Sequence, residues 1–347
     1  MNNKIKLIAL NVLVYGTPIL LWSVIPFTSN NWGSFTLDPI LNYLFFGKIS
    51  YSAMGIIFDF LMLYCFYLLF TKEKAIEHER VYLIASGLKK VFSFIFINKL
   101  KKDSLISKDE KVSLLFYLVK LYFTPVMIGF LIGNTTSFAQ FLSNSNSFAI
   151  TKENILGAYF HLIFYSILIL DTLIFAFGYL FESPKFKNVV KSVEPTALGW
   201  MAAIICYPPI NSLTGNILGW YSADFGDFKN IDLNLAAGFI SLLLFSIYVW
   251  ASIALWTKAS NLTNRGIVSK GPYKYVRHPA YISKNLSWWI MGIPFIQASG
   301  FIAIFSLSAW TIIYFVRAIT EERHLSQDPD YIEYTKKVKY MFVPGLF

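Results

Sequence analysis

Eight stretches of this chain, near 5–27, 49–70, 112–133, 155–181, 197–221, 235–257, 281–296 and 300–318, are predominantly apolar. Each approaches the roughly 20 residues that a helix rising about 1.5 Å per residue needs to cross about 30 Å of hydrocarbon. One soluble core cannot bury so many such runs. Only 14% of the 347 residues are charged and 56% are hydrophobic, which excludes an ordinary cytosolic enzyme. Aromatic residues at 18% suit a surface that meets lipid tails and headgroups. The expected fold is all-α, a polytopic helical membrane protein with about eight transmembrane helices.

One of these spans is expected to be broken or re-entrant. The run at 197–221 contains Cys206-Tyr207-Pro208-Pro209 and then Asn211, Thr214, Gly215 and Asn216. Two prolines remove two backbone donors, so the freed carbonyls must face protein or a wet cavity. Threading eight spans with both termini cytoplasmic leaves only Lys48, Lys152 and Lys229 on the far side and Lys120 within a span. All other Lys and Arg then fall on the cytoplasmic side, as the positive-inside rule requires, so the net charge of +10 needs no nucleic-acid partner. The amino-terminal run behind Lys4 and Lys6 resembles a secretory signal, but no small-residue cleavage site follows and it is read as the first span. Cys65 and Cys206 both sit in apolar runs, so neither a disulfide framework nor a cysteine-based metal site is expected.

Residues 1–190 read as an amino-terminal membrane region, with an interfacial helix near 81–100 that Lys89 and Lys90 make too polar to span. The segment 134–154, rich in Ser, Thr and Asn, reads as an outer loop. Residues 191–347 form the second region, whose cytoplasmic segments carry more chemistry than topology needs. Gly271-Pro272-Tyr273 stiffens a turn, and His278 before Pro279 favours extended backbone leading into a helix that starts near Tyr281. A short hairpin near 294–300 returns the chain to Glu321-Glu322, so both strips should leave the bilayer together. Asp328-Pro329 then reads as a helix cap, with Tyr331, Tyr334 and Val338 on one face.

Gly271-Pro272-Tyr273, Val276-Arg277-His278-Pro279-Ala280-Tyr281, a tryptophan-bearing hairpin, Glu321-Glu322 with Leu325, the spaced Tyr331 and Tyr334, and the ending Pro344-Gly345-Leu346-Phe347 form an ordered set. Over roughly 235–347 the chain resembles the isoprenylcysteine carboxyl methyltransferase family, which is related to the membrane phospholipid N-methyltransferases. The resemblance implies an S-adenosylmethionine-dependent methyltransferase acting at the cytoplasmic face on a lipophilic or lipid acceptor, a prenylcysteine carboxylate being one candidate. It places His278, Tyr281, Glu321 and Glu322 around the cofactor, with backbone contacts from the stretch containing Val268, Gly271 and Tyr273. Where the family pattern has a glycine shortly after Tyr281, this chain has Ile282-Ser283-Lys284, and Lys284 is expected to snorkel to the surface.

Carboxylates suit the ammonium and hydroxyl groups of such a cofactor, and aromatic faces suit its soft cation. Arg277 is the candidate clamp for the cofactor carboxylate or an anionic acceptor, and His278 or a glutamate the candidate base if the acceptor is an amine, with Arg277, His278 and Glu322 as the catalytic set. Each residue also has an ordinary reading: Arg277 as a positive-inside residue, the glutamates as solvated charges, His278 as structural. Asp59, His161 and Asp171 lie within spans and read as packing or as the polar wall of an acceptor chamber, and Trp288-Trp289 reads as lipid-facing or interfacial. Two other functions stay open: a sterol-reductase-like NADPH-dependent membrane enzyme, and a lipid-binding or transport protein built around the broken span. The bias toward Lys, Asn, Ile and Phe is that of an AT-rich genome, so a bacterial inner membrane is the expected setting.

Overall fold

The computed structural model describes residues 2–19, 35–36, 50–51, 53–70, 80–97, 106–143, 159–218 and 228–345. The helices are α1 (Asn2–Asn11), α2 (Ala53–Phe70), α3 (Arg80–Ile97), α4 (Lys108–Ser143), α5 (His161–Leu180) and α6 (Ala197–Ile204). They continue as α7 (Ile210–Leu218), α8 (Ile231–Leu255), α9 (Pro279–Met291), α10 (Ile293–Ser299), α11 (Phe301–Leu325) and α12 (Pro329–Lys337). Among the described residues, four helices are long and apolar enough to cross a membrane: α4, α5, α8 with its extension to Lys258, and α11. The run at 197–221 is broken between α6 and α7 at the Pro208-Pro209 pair, and that at 281–296 divides at Gly292. Residues 20–27 of the first expected span lie outside the described residues.

Contacts divide the chain into two compact units. In the first, residues 1–129 with Lys191–Val193, Leu7, Val14, Leu68, Val81, Ile84 and Tyr117 form the core, and the Tyr117 hydroxyl donates to the Val14 carbonyl at 2.6 Å. Glu110 ties α3 to the start of α4, accepting from Ser86 Oγ at 2.6 Å and from Lys90 Nζ and Ser107 N at 2.8 Å each. The helix expected near 81–100 is present as α3, burying Val81 and Ile84 while Leu88, Phe92 and Phe94–Phe96 stay exposed.

The expected outer loop begins later than its composition implies, because α4 continues to Ser143. Thr135 Oγ1 donates to the Leu131 carbonyl at 2.6 Å, so this polar residue is satisfied within the helix and need not end it. Residues 144–154 of that loop lie outside the described residues.

The second unit comprises Phe130–Val190 and Glu194–Phe347. On α8, Leu233, Phe239, Ile240, Leu243, Ile247 and Trp250 are exposed, while Ala237, Ser241, Phe245, Val249 and Ser252 are buried. Six of the eight buried residues of α8 are Gly, Ala or Ser, as lipid solvation favours, because close backbone approach drives packing there. Ser241 and Ser287 hydroxyls meet at 2.6 Å where α8 packs on α9, and Phe164 of α5 meets Phe245 edge-on at 4.9 Å. Trp288 corrects the lipid-facing reading: it is buried against Tyr314 and Leu307, and Trp289 Nε1 donates to Thr311 Oγ1 at 3.0 Å. Gly300, at φ +55°, makes the α10–α11 turn in a conformation that only glycine adopts without strain.

Candidate functional site

The loop between α8 and α9 is held by its own side chains before it meets anything else. Asn264 Oδ1 accepts from Gly266 N and its Nδ2 donates to Asp328 Oδ2, each at 2.7 Å, while Asp328 caps α12 by accepting from Asp330 N at 3.0 Å. The expected Asp-Pro helix start is therefore present, and the same aspartate anchors the loop. Gly271 lies at φ +61°, and a side chain there would meet the Ala254 Cβ at 3.0 Å. Gly271→Ala is expected to destabilise the protein by about 1–3 kcal/mol, read as a lowered thermal midpoint in detergent.

The chain's end straps this loop. Arg277 N donates to the Tyr340 carbonyl at 3.0 Å and His278 N to the Met341 carbonyl at 2.9 Å. Arg277 Nη1 also reaches the carbonyls of Val338 at 3.0 Å and Lys339 at 2.6 Å. The Tyr334 hydroxyl donates to the Tyr273 carbonyl at 2.6 Å. Burial, and for Tyr331 also the neighbouring Glu322 charge, pushes the Tyr331 and Tyr334 phenols well above their ordinary range, so both remain donors. Tyr334→Phe is expected to cost about 1 kcal/mol of stability, measurable by the same melt.

The two strips converge as expected. Glu322 Oε1 accepts from Arg277 Nε at 2.7 Å and lies 3.0 Å from His278 Nε2, and its carboxylate also accepts from the Tyr331 hydroxyl. The neighbouring Glu321 turns the other way, accepting from the Tyr281 hydroxyl on Oε2 at 2.8 Å. His278 stacks on Tyr281 with ring centres 5.3 Å apart and planes 14° from parallel.

A cavity opens beside this junction. Tyr273, Arg277, His278, Tyr281 and Glu321 line it, whereas Val268, Gly271 and Glu322 do not. Glu322 instead holds Arg277 and His278 from behind. Along α11 the cavity face carries Tyr314, Arg317, Glu321 and His324, a spacing of three and four residues that gives one helix face.

Arg317 was not singled out by the sequence reasoning. It is 7% exposed and pairs with no carboxylate among the described residues. Its Nη2 donates to Asn261 Oδ1, and its guanidinium lies 5.7 Å from the Tyr207 ring centre, 5.2 Å from Tyr281 and 5.7 Å from Tyr314. The signal was available: an arginine within an apolar run, four residues before Glu321.

Lys284 also lines the cavity instead of snorkelling to the surface, with Nζ 5.3 Å from the Tyr248 ring centre and 5.2 Å from that of Trp288. Asp171 accepts from the Tyr248 hydroxyl at 2.7 Å and Ser252 Oγ at 2.5 Å, and those two donors line the cavity with Lys284. The aspartate thus supports a polar wall. His161 stacks on Phe141 at 5.7 Å, apart from that network, and Asp59 is exposed on α2.

The model of the isoprenylcysteine carboxyl methyltransferase family matches residues 235–327. That segment is similar to this family. It supplies α8, the Arg277-His278 loop and α9 to α11, which are most of the cavity wall. Phe175, Glu194, Gly199, Ala203 and Tyr207 complete the wall from outside the family segment. No curated protein matches the chain. The family implies a membrane methyltransferase, and the four apolar helices agree with an integral membrane protein.

Proposed function

We propose that this protein is an S-adenosylmethionine-dependent methyltransferase that esterifies an acidic group on a lipophilic acceptor at the cytoplasmic face of its membrane. The observation that carries this reading is the cavity wall of α11, where Glu321 and the buried Arg317 lie four residues apart on one face. Bound S-adenosylmethionine supplies a methyl group on a positively charged sulfur. The residues present fit such a ligand. Glu321 has one oxygen held by the Tyr281 hydroxyl and offers the other to hydroxyl or ammonium donors.

Arg317 binds the acceptor. A guanidinium sandwiched by tyrosines and lacking a carboxylate partner among the described residues suits an anionic oxygen, which it can orient through two N–H donors. Arg317 and Lys284 together repel a cationic amine. A carboxylate is already ionised, so this assignment needs no general base, and His278 acts with Arg277 and Glu322 to hold the loop. Lys284 extends the basic wall toward Tyr248. The side chains that wall the cavity would exclude water from both ligands and hold them in line for transfer.

The amino-terminal region and the interfacial seating of α3 serve membrane placement in this reading, and its exposed phenylalanines meet the lipid boundary. The test is calorimetric titration of purified protein with S-adenosylhomocysteine and with NADPH, followed by mass spectrometry of lipid extracts. Saturable binding of the first, and an ester one methylene heavier that depends on the protein, are expected. Binding of NADPH alone would install the reductase reading.

A further inference from the structure

Glu194 lies upstream of the family segment, two residues before the cap of α6, and is 2% exposed. Its Oε1 is heavily engaged: Thr196 N donates at 3.1 Å, Arg323 Nη2 at 2.7 Å, and the Thr196 hydroxyl donates as well. Thr196 Oγ1 in turn caps α6 by accepting from Gly199 N at 3.3 Å. A side chain at Gly199 would collide with Glu194 Cγ at 2.4 Å, Cδ at 2.6 Å and Oε1 at 2.8 Å. The absent Cβ is what lets the carboxylate lie against the helix start.

Oε2 is different. It is buried and has no hydrogen-bond partner among the described residues, although Glu194 lines the cavity. A carboxylate oxygen shut away from water without a donor is costly. Gly199, Thr196 and Arg323 nevertheless hold it in that orientation, and His324 on the cavity face of α11 lies within electrostatic reach of both Glu194 and Glu321.

We infer that Glu194 Oε2 is a ligand-binding atom completed by the methyl donor, accepting a hydrogen bond either from the nucleoside half or from the ammonium of the amino-acid arm. The inference rests on the S-adenosylmethionine reading above. It gives the segment before α6, outside the family segment, a second carboxylate in binding beside Glu321. It also explains why an orphaned acceptor persists in the ligand-free fold: the ligand's donor repairs it.

Full-length protein in detergent micelles, parent and Glu194→Gln, is titrated calorimetrically with S-adenosylhomocysteine and with methylthioadenosine, which lacks the amino-acid arm. The ligand-free melting midpoint is recorded alongside. The amide keeps an acceptor for Thr196 and for the half-exposed Arg323 while weakening that ion pair, so the ligand-free midpoint should fall only slightly while S-adenosylhomocysteine affinity falls about tenfold. An equal fall for methylthioadenosine assigns the donor to the nucleoside half, and a fall for S-adenosylhomocysteine alone assigns it to the ammonium.

Unchanged affinity for both ligands in a folded variant overturns the inference and leaves the methyltransferase reading standing. No binding of S-adenosylhomocysteine to the parent overturns that reading, and the inference with it. If the glutamine variant does not fold, Glu194→Asp, which keeps the charge but withdraws the acceptor by one methylene, is judged by the same two affinities.

Discussion

Arg317→Lys is expected to lower kcat/KM for the lipophilic acceptor by about a hundredfold while leaving S-adenosylhomocysteine affinity within about twofold. Lysine keeps the charge but loses the planar fork. A point charge cannot make two parallel bonds to a carboxylate, and it is a different cation for the tyrosine rings now 5.2–5.7 Å from the guanidinium. The loss should appear in acceptor turnover and not in cofactor binding, because the cofactor is assigned to Glu321. Methyl transfer by purified variants, with cofactor affinity measured separately, checks both halves. A variant that turned over acceptor like the parent, or one that lost cofactor binding in step with activity, would remove Arg317 from its assigned place.

The second large effect concerns the junction behind the cavity. Glu322→Gln takes the charge from an oxygen that serves Arg277 at 2.7 Å and His278 at 3.0 Å. The Arg277 side chain is 14% exposed and that of Glu322 20%, so water compensates only in part. A loss of about 2–3 kcal/mol is expected, below the full cost of stranding a deeply buried charge. The loop between α8 and α9 should loosen with it, weakening cofactor binding indirectly. Glu321→Gln makes the contrast: it removes only the carboxylate character of Tyr281's acceptor, so stability should change little while cofactor affinity falls about tenfold. Thermal melts and titrations on the pair decide the matter. Equal melts for the two variants would sink the division of labour between adjacent glutamates.

That division was not readable from the chain. Glu321 and Glu322 are neighbours, about 100° apart around a helix, and only the packing of α9 and α12 against α11 says which one faces the cavity. Trp288 and Trp289 pose the same problem, and hydropathy alone sent both to lipid. Lys284 was read as a surface residue because a lone lysine in an apolar helix ordinarily reaches for water. Here the Tyr248 and Trp288 rings give it a partner inside. Glu194 carried no motif, being brought to the site across 129 residues of chain by its bond to Arg323.

What the sequence determined alone was the solvent and the local chemistry. Long apolar runs call for helices, because backbone polar groups in lipid must be satisfied within the segment, and four described helices are long and apolar enough to cross. Prolines, glycines and the Asp328 cap likewise act through neighbouring backbone, so the broken span, the stiff Arg277-His278 loop and the start of α12 could be read residue by residue. The tertiary structure decided which charged groups share a cavity and which are engaged elsewhere. That depends on helix rotation and on partners far along the chain, and rotating a helix by one residue exchanges a ligand for a strut without altering its composition.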